Sequence, residues 1–257
     1  MDLTGKAALI TGGGVGTGRA IALDLAASGC DVAVNYSKSK TECDLTATDI
    51  ESHGVRSLSI GADVRDDAAV RAMVERVVAG FGRLDIVVNN AGVTSFIDHA
   101  DLEGVGEEDW ERILSTNLKG AFYVARAAAP ALKASGAGAI INVSSIAGVY
   151  HVGSSIPYCA SKAALNSLTV TLARALAPEI RVNAVAPGFI DSGWWSEHPG
   201  YEAIKQLSAA LAPLQAVCQP RDVSRAVLGL LGADMVTGQV LVVDGGMGIS
   251  GGLPSRR

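Results

Sequence analysis

Short apolar runs alternate with longer segments in which apolar residues recur every three or four positions, and the alternation continues along the whole chain. Short runs of this kind are typical of strands buried on both faces, and the longer segments are typical of amphipathic helices. Seven strands are predicted, at Ala7–Thr11, Asp31–Tyr36, Ser57–Gly61, Asp85–Asn89, Ala139–Ser144, Arg181–Ala186 and Val240–Val243. The helices predicted between them include Gly16–Ser28, Ala68–Phe81, Glu107–Lys133, Pro157–Ala177 and Arg221–Leu231.

The order of these elements predicts one kind of architecture. Strands that alternate with helices form a parallel sheet covered by helices on both faces. The 257 residues carry no internal repeat, low-complexity segment or charged linker that would mark a second unit. We therefore expect a single doubly wound, Rossmann-type α/β domain over residues 1–257, with a seven-stranded parallel sheet.

The least regular interior segment is Gly193–Ala212, which follows the end of a predicted strand. In doubly wound sheets the loops beyond the carboxyl ends of the strands form the ligand crevice. Residues 190–212 are therefore a candidate substrate lid, with Trp194 and Trp195 as candidate substrate contacts. A surface loop whose tryptophans pack against the body of the protein explains the same pattern.

Composition narrows the classes of function. With 49% apolar and 18% charged residues and a net charge of −5, the chain has the balance of a soluble α/β protein and no basic patch for nucleic acid. No apolar stretch reaches the length of a membrane span, and the first residues lack a signal-peptide pattern, so a cytoplasmic location is predicted. The four cysteines show no metal-site spacing, and no metal is predicted.

A glycine-rich turn joins the first predicted strand to the first predicted helix, in the run Thr11-Gly12-Gly13-Gly14-Val15-Gly16-Thr17-Gly18. Glycine lets the backbone approach a pyrophosphate, and the following helix N-terminus presents free N–H groups to it. A tight strand-to-helix turn also needs glycine, but this position in an α/β chain favours a dinucleotide. The candidate contacts are Gly12, Gly14, Gly16, Thr17 and Gly18.

Tyr158 and Lys162 stand four positions apart in a predicted helix, so their side chains share one face. A neighbouring ammonium stabilises a phenolate, so Lys162 is expected to lower the pKa of Tyr158 and prepare it for proton transfer. Pairs with this spacing are also common on ordinary helix surfaces. The pair alone therefore does not establish an active site.

The glycine turn has the form T-G-x-x-x-G-x-G, because Arg19 stands where the commoner G-x-G-x-x-G pattern ends in glycine. With this turn, and with Ser145 placed 13 residues before the Tyr-x-x-x-Lys pair, the chain resembles the short-chain dehydrogenase/reductase family. Within that family it looks most like the 3-oxoacyl-carrier-protein reductases and related carbonyl reductases. Further matching segments are Asn89-Asn90-Ala91-Gly92, Asp63-Val64, Pro187-Gly188 and Thr237-Gly238-Gln239…Asp244-Gly245-Gly246.

The resemblance implies a catalytic tetrad of Asn117, Ser145, Tyr158 and Lys162. By this analogy Ser145 hydrogen-bonds the reacting oxygen, Tyr158 transfers the proton, Lys162 binds the nicotinamide ribose, and Asn117 holds a water that relays protons. Ser145 is preferred to Ser144, because adjacent strand residues point to opposite faces and only Ser145 has the family's separation from the tyrosine.

The resemblance also implies cofactor contacts outside the glycine turn. Asp63 and Val64 are expected at the adenine. The remaining candidates are Asn90, Ala91, Gly92, Tyr158, Lys162, Pro187, Gly188 and Ile190.

The end of the second strand indicates which nicotinamide cofactor is used. An NAD enzyme usually places an acid there for the ribose 2′-OH, whereas this chain has Asn35-Tyr36-Ser37-Lys38. Tyr36, Ser37 and Lys38 are therefore assigned to the cofactor, and NADP(H) is favoured over NAD(H). Two points weigh on the other side: Val15 stands where NADP-preferring relatives often carry a basic residue, and Lys38 could simply be solvated.

The predicted activity is reversible hydride transfer between NADP(H) and a carbonyl or secondary alcohol on a small-molecule substrate, in a homotetramer. His151 lies between Ser145 and Tyr158 and is a candidate substrate contact, although an exposed loop histidine fits equally well. Cys159 is interpreted as a core residue. The alternatives are a sugar or alcohol dehydrogenase, an imine reductase of the same fold, or a non-catalytic NAD(P)-sensing regulator.

Overall fold

A computed structural model describes residues 1–194 and 199–250. Within these ranges the chain forms one sheet of seven parallel strands. The strands are β1 (Ala7–Ile10), β2 (Asp31–Tyr36), β3 (Ser57–Gly61), β4 (Ile86–Asn89), β5 (Gly138–Val143), β6 (Ile180–Pro187) and β7 (Val240–Val243). Their order across the sheet is β3-β2-β1-β4-β5-β6-β7.

The connections between the strands are mostly helical. The α-helices are α1 (Gly16–Ala27), α2 (Lys40–Glu51), α3 (Asp67–Phe81), α4 (Glu107–Leu114), α5 (Ala121–Ala134), α6 (Ala147–Tyr150), α7 (Ile156–Leu176), α8 (Tyr201–Leu211) and α9 (Pro220–Gly232). A π-helical segment, Ser115–Gly120, joins α4 to α5 without a break, and a short 3₁₀ turn, Met247–Ile249, follows β7.

The core lies on both faces of the sheet. Successive strand residues point to opposite faces, so Ala8 and Ile10 of β1 pack with α1, α2 and α9, whereas Ala7 and Leu9 pack with α3, α5 and α7. All four side chains are fully buried. The predicted Rossmann-type sheet, doubly wound and parallel, is confirmed.

Three helical features differ from the sequence expectations. The predicted helix Glu107–Lys133 contains the π-helical segment, and α2 was not predicted because its buried face, Cys43, Thr46, Ala47 and Ile50, is only weakly apolar. The interpretation of Gly193–Ala212 as irregular is wrong over Tyr201–Leu211, which forms α8. Its apolar residues Ile204, Leu207 and Leu211 recur at helical spacing, but they follow a run that contains Pro199 and Gly200, and no residue of the helix is buried.

Strand polarity brings the candidate residues together. Because all strands run in one direction, the segments that follow β1 to β7 meet at a single edge of the sheet. The chain reverses its direction across the sheet between β1 and β4, which is where such folds form a ligand crevice. Among the described residues, no helix is both long and apolar enough to cross a membrane.

Candidate active site

The turn between β1 and α1 depends on its glycines. Gly12 and Gly16 have φ values of 62° and 52°, which side chains rarely adopt. A Cβ on Gly18 would lie 2.3 Å from the Gly12 carbonyl oxygen. In the described part of the chain no side chain caps α1, so the amides of its first turn face the open loop and suit an anionic group.

Asn90 and Thr11 brace this turn. The Asn90 amide donates to the carbonyl oxygens of Thr11 at 3.0 Å and Gly12 at 2.9 Å. The Thr11 hydroxyl accepts from the backbone amides of Asn90 and Ala91, both at 3.0 Å. The side chain of Asn90 therefore supports the loop that would hold a cofactor.

Asn35 is a supporting residue that sequence reasoning missed. Its side-chain amide donates to the carbonyl oxygens of Ile60 at 3.2 Å and Ala62 at 2.9 Å. Its side-chain oxygen accepts from the amide of Gly12 at 3.4 Å. Asn35 is almost fully buried, so a polar residue inside β2 was itself a signal that could have identified this tie between the glycine turn and β3.

Beyond β2 the chain offers hydrogen-bond donors and a positive charge. Tyr36 covers Gly61, where a Cβ would lie 3.1 Å from the tyrosine hydroxyl oxygen. Ser37 and Lys38 are exposed. No acid stands at this strand end, in keeping with the sequence expectation.

After β3, Asp63 is held by a neighbouring guanidinium. Arg65 Nη2 lies 2.6 Å from Asp63 Oδ2, and this hydrogen bond holds the pKa of the Asp63 carboxyl below its ordinary value. Lys38 lowers the same pKa through its charge. Val64 is buried and packs against Gly120 of the π-helical segment, so only its edge can face a ligand.

The two serines after β5 point in different directions. Ser144 donates to Asn166 Oδ1 at 2.6 Å, so its hydroxyl faces α7. Ser145 Oγ accepts from the amide of Ala147 at 3.1 Å, and the Ser145 hydroxyl lowers the pKa of Tyr158 by hydrogen bonding. This geometry supports the choice of Ser145.

Tyr158 lies in the first turn of α7, which is capped by the buried Ser155. Removal from water raises the pKa of Tyr158 to about 12, and the hydrogen bond with Ser145 only partly opposes the rise. Lys162 Nζ lies 5.7 Å from the tyrosine ring centroid and donates to the carbonyl oxygen of Val143 at 2.8 Å. Burial therefore dominates the pKa of Tyr158, and the expectation that Lys162 lowers this pKa stays a prediction.

Lys162 is itself buried, with 4% of its surface exposed. Burial penalises its charged form and lowers its pKa to about 8. The same helix thus carries a phenol that holds its proton tightly and an ammonium that holds its proton loosely. This is the pattern of a proton-transfer pair.

Asn117 lies in the π-helical segment, a type of helix interruption that is frequent at functional sites. Its side-chain amide donates to the Val93 carbonyl oxygen and to Ser161 Oγ, both at 3.0 Å, and its oxygen accepts from the Val93 amide at 2.8 Å. Ser161 was not predicted. The side chain of Asn117 therefore ties α7 to the segment after β4, and the predicted water relay stays a prediction.

Three predicted residues meet beside Gly92. A Cβ placed on Gly92 would lie 3.4 Å from Asn117 Oδ1, 3.7 Å from Lys162 Nζ and 3.7 Å from Trp194 Cη2. The absence of a side chain at Gly92 keeps this space open. Trp194 therefore lies at the catalytic residues, while Trp195 falls outside the described residues.

The segment after β6 is fastened to its neighbours. The Gly188 amide donates to the Val243 carbonyl oxygen at 2.9 Å, and the Pro187 carbonyl oxygen accepts from the Ile146 amide at 2.9 Å. Ile190 forms a β-bridge with Cys218. These contacts place Pro187, Gly188 and Ile190 along the crevice, opposite the glycine turn.

Comparison with known proteins places this geometry in a family. A family model described as "Enoyl-(Acyl carrier protein) reductase" matches residues 13–248. A Streptomyces violaceoruber protein named "Granaticin polyketide synthase putative ketoacyl reductase 2" is 43% identical over 239 residues, covering 93% of this chain and 94% of the relative. A Staphylococcus aureus protein named 3-oxoacyl-[acyl-carrier-protein] reductase is 41% identical, covering 94% and 98%. The chain belongs to the short-chain dehydrogenase/reductase family.

Solved structures agree with this family. A Burkholderia xenovorans protein titled as a short-chain dehydrogenase/reductase has a TM-score of 0.88 at 35% identity, with 95% of this chain and 98% of that chain covered. An NAD⁺-bound xylitol dehydrogenase has a TM-score of 0.88 at 30% identity, covering 96% and 100%. Family membership confirms the prediction of an oxidoreductase that uses a nicotinamide cofactor and acts on CH–OH and C=O groups.

The residues of the site fit the cofactor of a short-chain dehydrogenase/reductase. Gly16 is exposed at the start of α1, and a Cβ there would meet only Ser192, at 3.9 Å. The loop backbone is therefore open to a pyrophosphate, as the space beside Gly92 is open next to Lys162.

Two further residues from the sequence analysis lie near the start of α7, His151 before it and Cys159 within it. His151 is exposed, with φ 61° at the end of α6, and its contact with substrate stays a prediction. Cys159 is 8% exposed and lies 3.9 Å from His99 Nε2, and burial raises the pKa of its thiol. Cys159 is thus a core residue and not an activated nucleophile.

Proposed function

We propose that this protein reduces the carbonyl of a 3-oxoacyl or related ketone substrate with NADP(H), through Asn117, Ser145, Tyr158 and Lys162. The observation that carries the proposal is the meeting of Asn117 Oδ1 and the buried Lys162 Nζ beside Gly92, with Lys162 Nζ 5.7 Å from the centroid of the Tyr158 ring. Relatives named as a ketoacyl reductase and a 3-oxoacyl-carrier-protein reductase support this substrate class.

The paired hydroxyls can act on one carbonyl oxygen. As a hydride reaches the carbonyl carbon, negative charge develops on the oxygen, which Ser145 stabilises by a hydrogen bond while Tyr158 transfers its proton. A tyrosine pKa of about 12 keeps this donor protonated at neutral pH. Lys162 stabilises the resulting phenolate through its charge, and its pKa of about 8 lets it release a proton toward the tyrosine.

A bound nicotinamide dinucleotide would supply the hydride. Its pyrophosphate would lie on Gly12, Gly14, Gly16, Thr17 and Gly18, and its adenine beside Asp63 and Val64. The nicotinamide riboside would be held by the residues that line the rest of the crevice, namely Asn90, Ala91, Gly92, Tyr158, Lys162, Pro187, Gly188 and Ile190.

The preference for NADP(H) rests on the end of β2. Tyr36, Ser37 and Lys38 present no carboxylate to a 2′-phosphate, and the pairing of Asp63 with Arg65 offsets the negative charge of the adjacent acid. We expect Lys38→Ala to weaken NADPH binding about tenfold, as loss of one charge-assisted contact does, and to leave NADH binding unchanged. Lys133→Ala, which changes an exposed lysine near the end of α5, is the matched control. Tighter binding of NADH by the wild type, with no effect of Lys38→Ala on NADPH, would contradict this preference.

The substrate class is tested by turnover. Purified protein with NADPH should reduce 3-oxoacyl thioesters or esters faster than simple ketones, as followed by the loss of NADPH absorbance. The xylitol dehydrogenase neighbour supports a second candidate, oxidation of a sugar alcohol, and a parallel assay with NAD⁺ and polyols separates the two. No turnover in either assay, together with no effect of Tyr158→Phe, would favour a non-catalytic NAD(P) sensor.

The remaining predictions extend this proposal. Residues 190–212 would act as the substrate lid of a single domain over residues 1–257, with His151, Trp194 and Trp195 facing the substrate. A cytoplasmic homotetramer is proposed from the family resemblance, and exposed apolar side chains on α5, α7 and β7 support it: Phe122, Val170 and Leu241. A monomeric mass by light scattering at micromolar concentration would overturn the tetramer.

A further inference from the structure

The C-terminal turn makes contacts that the proposed reaction does not explain. Asp244 follows β7 and is 9% exposed. Its carboxylate accepts from the amides of Gly246 at 2.8 Å and Gly248 at 2.9 Å, which folds the chain back over the carboxylate. A buried carboxylate with two backbone donors fixes this turn firmly in place.

The hydroxyl of Tyr150 lies against the same turn, at Gly248. Burial, the charge of Asp244 and the hydrogen bond to it all raise the pKa of Tyr150, so the phenol donates and the carboxylate accepts. The fit is tight, because a Cβ on Gly248 would lie 1.9 Å from the Tyr150 hydroxyl oxygen and 2.1 Å from its ring carbon Cζ. Any side chain at position 248 would therefore displace the tyrosine ring.

Tyr150 ends α6, and α6 is built directly onto the catalytic residues. The Ala147 amide donates to Ser145 Oγ at 3.1 Å. A Cβ on Gly148 would lie 2.5 Å from the backbone carbonyl carbon of Lys162, so the helix rests on α7 at the lysine itself. A shift of Tyr150 would therefore be transmitted to Ser145 and to the loop that carries His151.

The C-terminal turn also contacts the loop after β6 and the segment after α8, which form the other two walls of the crevice. Gly188 approaches so closely that a Cβ there would lie 3.0 Å from Asp244 Cβ. Gly246 packs against Pro213, just after α8, where a Cβ would lie 3.1 Å from the proline ring. The loop after β6, the segment after α8 and α6 are thus all packed against the same C-terminal turn.

We propose that Tyr150 and Asp244 are positioning residues: Asp244 fixes the C-terminal turn, and the contact of Tyr150 with that turn holds α6 and residues 151–155 at the distance that the substrate requires. The inference rests on the proposed carbonyl reduction and adds to it the contact that sets one wall of the substrate pocket. Neither residue touches the reacting atoms. Their loss should therefore affect substrate binding more than the chemical step.

The first test removes only the hydroxyl. Tyr150→Phe should raise KM for the carbonyl substrate about three- to tenfold, leave kcat within about twofold and leave the Kd of NADPH unchanged, since one hydrogen bond to a charged group is lost. Amide hydrogen exchange over residues 145–155 should become faster. Tyr123→Phe, which removes a phenol hydroxyl on α5, should change none of these values.

The second test uses the space around Gly248. Gly248→Ala should raise KM at least as much as Tyr150→Phe, and the same substitution in a Tyr150→Ala background should add nothing, because the ring that it would displace is gone. Gly229→Ala on α9, where a Cβ meets nothing within 4 Å, is the matched control. An equal penalty from Gly248→Ala in both backgrounds would overturn the proposal.

Two outcomes separate this inference from the proposed function. If the wild type reduces no carbonyl substrate, the proposed function fails, while the hydrogen-exchange comparison still decides whether Tyr150 holds α6. If the wild type is active but Tyr150→Phe changes neither KM nor the exchange of residues 145–155, the positioning role is wrong. An unchanged KM with altered exchange also overturns it.

Discussion

The two halves of the crevice are held in place by different means. On the side of β1 to β4, glycines without room for a Cβ and hydrogen bonds to the main chain fix the turn, as with Gly18 and Asn90. On the side of β5 to β7, side chains from distant segments hold one another, as Asp244 holds Tyr150. The first half tolerates little change, whereas the second can be altered one contact at a time.

Side chains from distant segments also hold one another around Asp191, within residues 190–212, the proposed lid. Asp191 is paired with Lys205 at 2.7 Å, accepts from the Tyr201 hydroxyl, and accepts from Gln219 at 3.3 Å. These partners, Lys205 first, lower the pKa of Asp191 to about 2. Because α8 has no buried residue, this cluster is a main attachment of the helix.

The largest effect on kcat is expected at Tyr158, where the two halves of the crevice meet. Tyr158→Phe removes the proton donor and should lower kcat about 10²–10⁴-fold, the usual contribution of general acid catalysis, with a much smaller change in the Kd for NADPH, since Tyr158 is only one of the proposed cofactor contacts. Steady-state kinetics and a cofactor titration measure both. A kcat within threefold of the wild type would remove Tyr158 from the mechanism.

The turn between β1 and α1 should not tolerate even the one extra carbon of an alanine side chain. Gly18→Ala would place a Cβ 2.3 Å from the Gly12 carbonyl oxygen, so we expect the turn to open, NADPH affinity to fall at least tenfold and the free energy of unfolding to fall by about 1–3 kcal/mol. Titration and denaturant unfolding measure the two changes. Gly229→Ala serves as control. Similar effects of both substitutions would show that the close contact at Gly18 is not their cause.

The buried charge of Lys162 should lower the free energy of unfolding. Its folded pKa of about 8 lies below the ordinary 10.5, so the folded state bears a penalty that is full below pH 8 and disappears as pH rises from 8 to 10.5. Lys162→Met should therefore raise the free energy of unfolding at pH 7 by about 1–3 kcal/mol while abolishing turnover.

That gain should shrink toward pH 10.5, as denaturant unfolding at several pH values would show. The control is Lys133→Met on the exposed surface of α5, for which no such dependence is expected. A Lys162→Met protein that is less stable than the wild type at pH 7 would contradict the assigned penalty.

The smallest effect is expected in the lid segment. Asp191→Asn keeps the shape of the side chain and removes its charge, so α8 should loosen and KM for the carbonyl substrate should rise about two- to fivefold, with little change in the Kd of NADPH. The wild type should lose the same support as pH falls from about 4 to 2, because a carboxylate with a lowered pKa stabilises only while ionised. Asp44→Asn, which likewise removes a carboxylate paired with a lysine, on α2, should leave KM unchanged.

Sequence reasoning reached most of the fold because the strands are apolar runs and most helices carry an apolar stripe. It missed α8, which buries no residue, and α2, whose buried face is small and partly polar. The tetrad came from spacing and resemblance. The direction of the Tyr158 pKa did not, because a four-residue spacing reports a neighbour and says nothing of burial.

Contacts between distant segments could not be predicted from the sequence for the same reason. Asn35 with Gly12, Asn117 with Ser161 and Tyr150 with Asp244 join residues that are far apart in the chain and have no shared period. A single sequence shows which residue types are present at each position. Only the packed sheet shows which of them meet.

The π-helical segment Ser115–Gly120 has a genetic consequence. It accommodates about one residue more than a regular α-helix, in which each residue turns the helix by about 100°. A codon deleted within this segment would let α4 and α5 join as one regular α-helix and would displace the residues of the segment itself, because the segment absorbs one extra residue without turning the flanking helices. Asn117 would leave Val93 and Ser161 without any change of residue type, so a one-codon insertion or deletion is a direct route by which such a chain can gain or lose its active site.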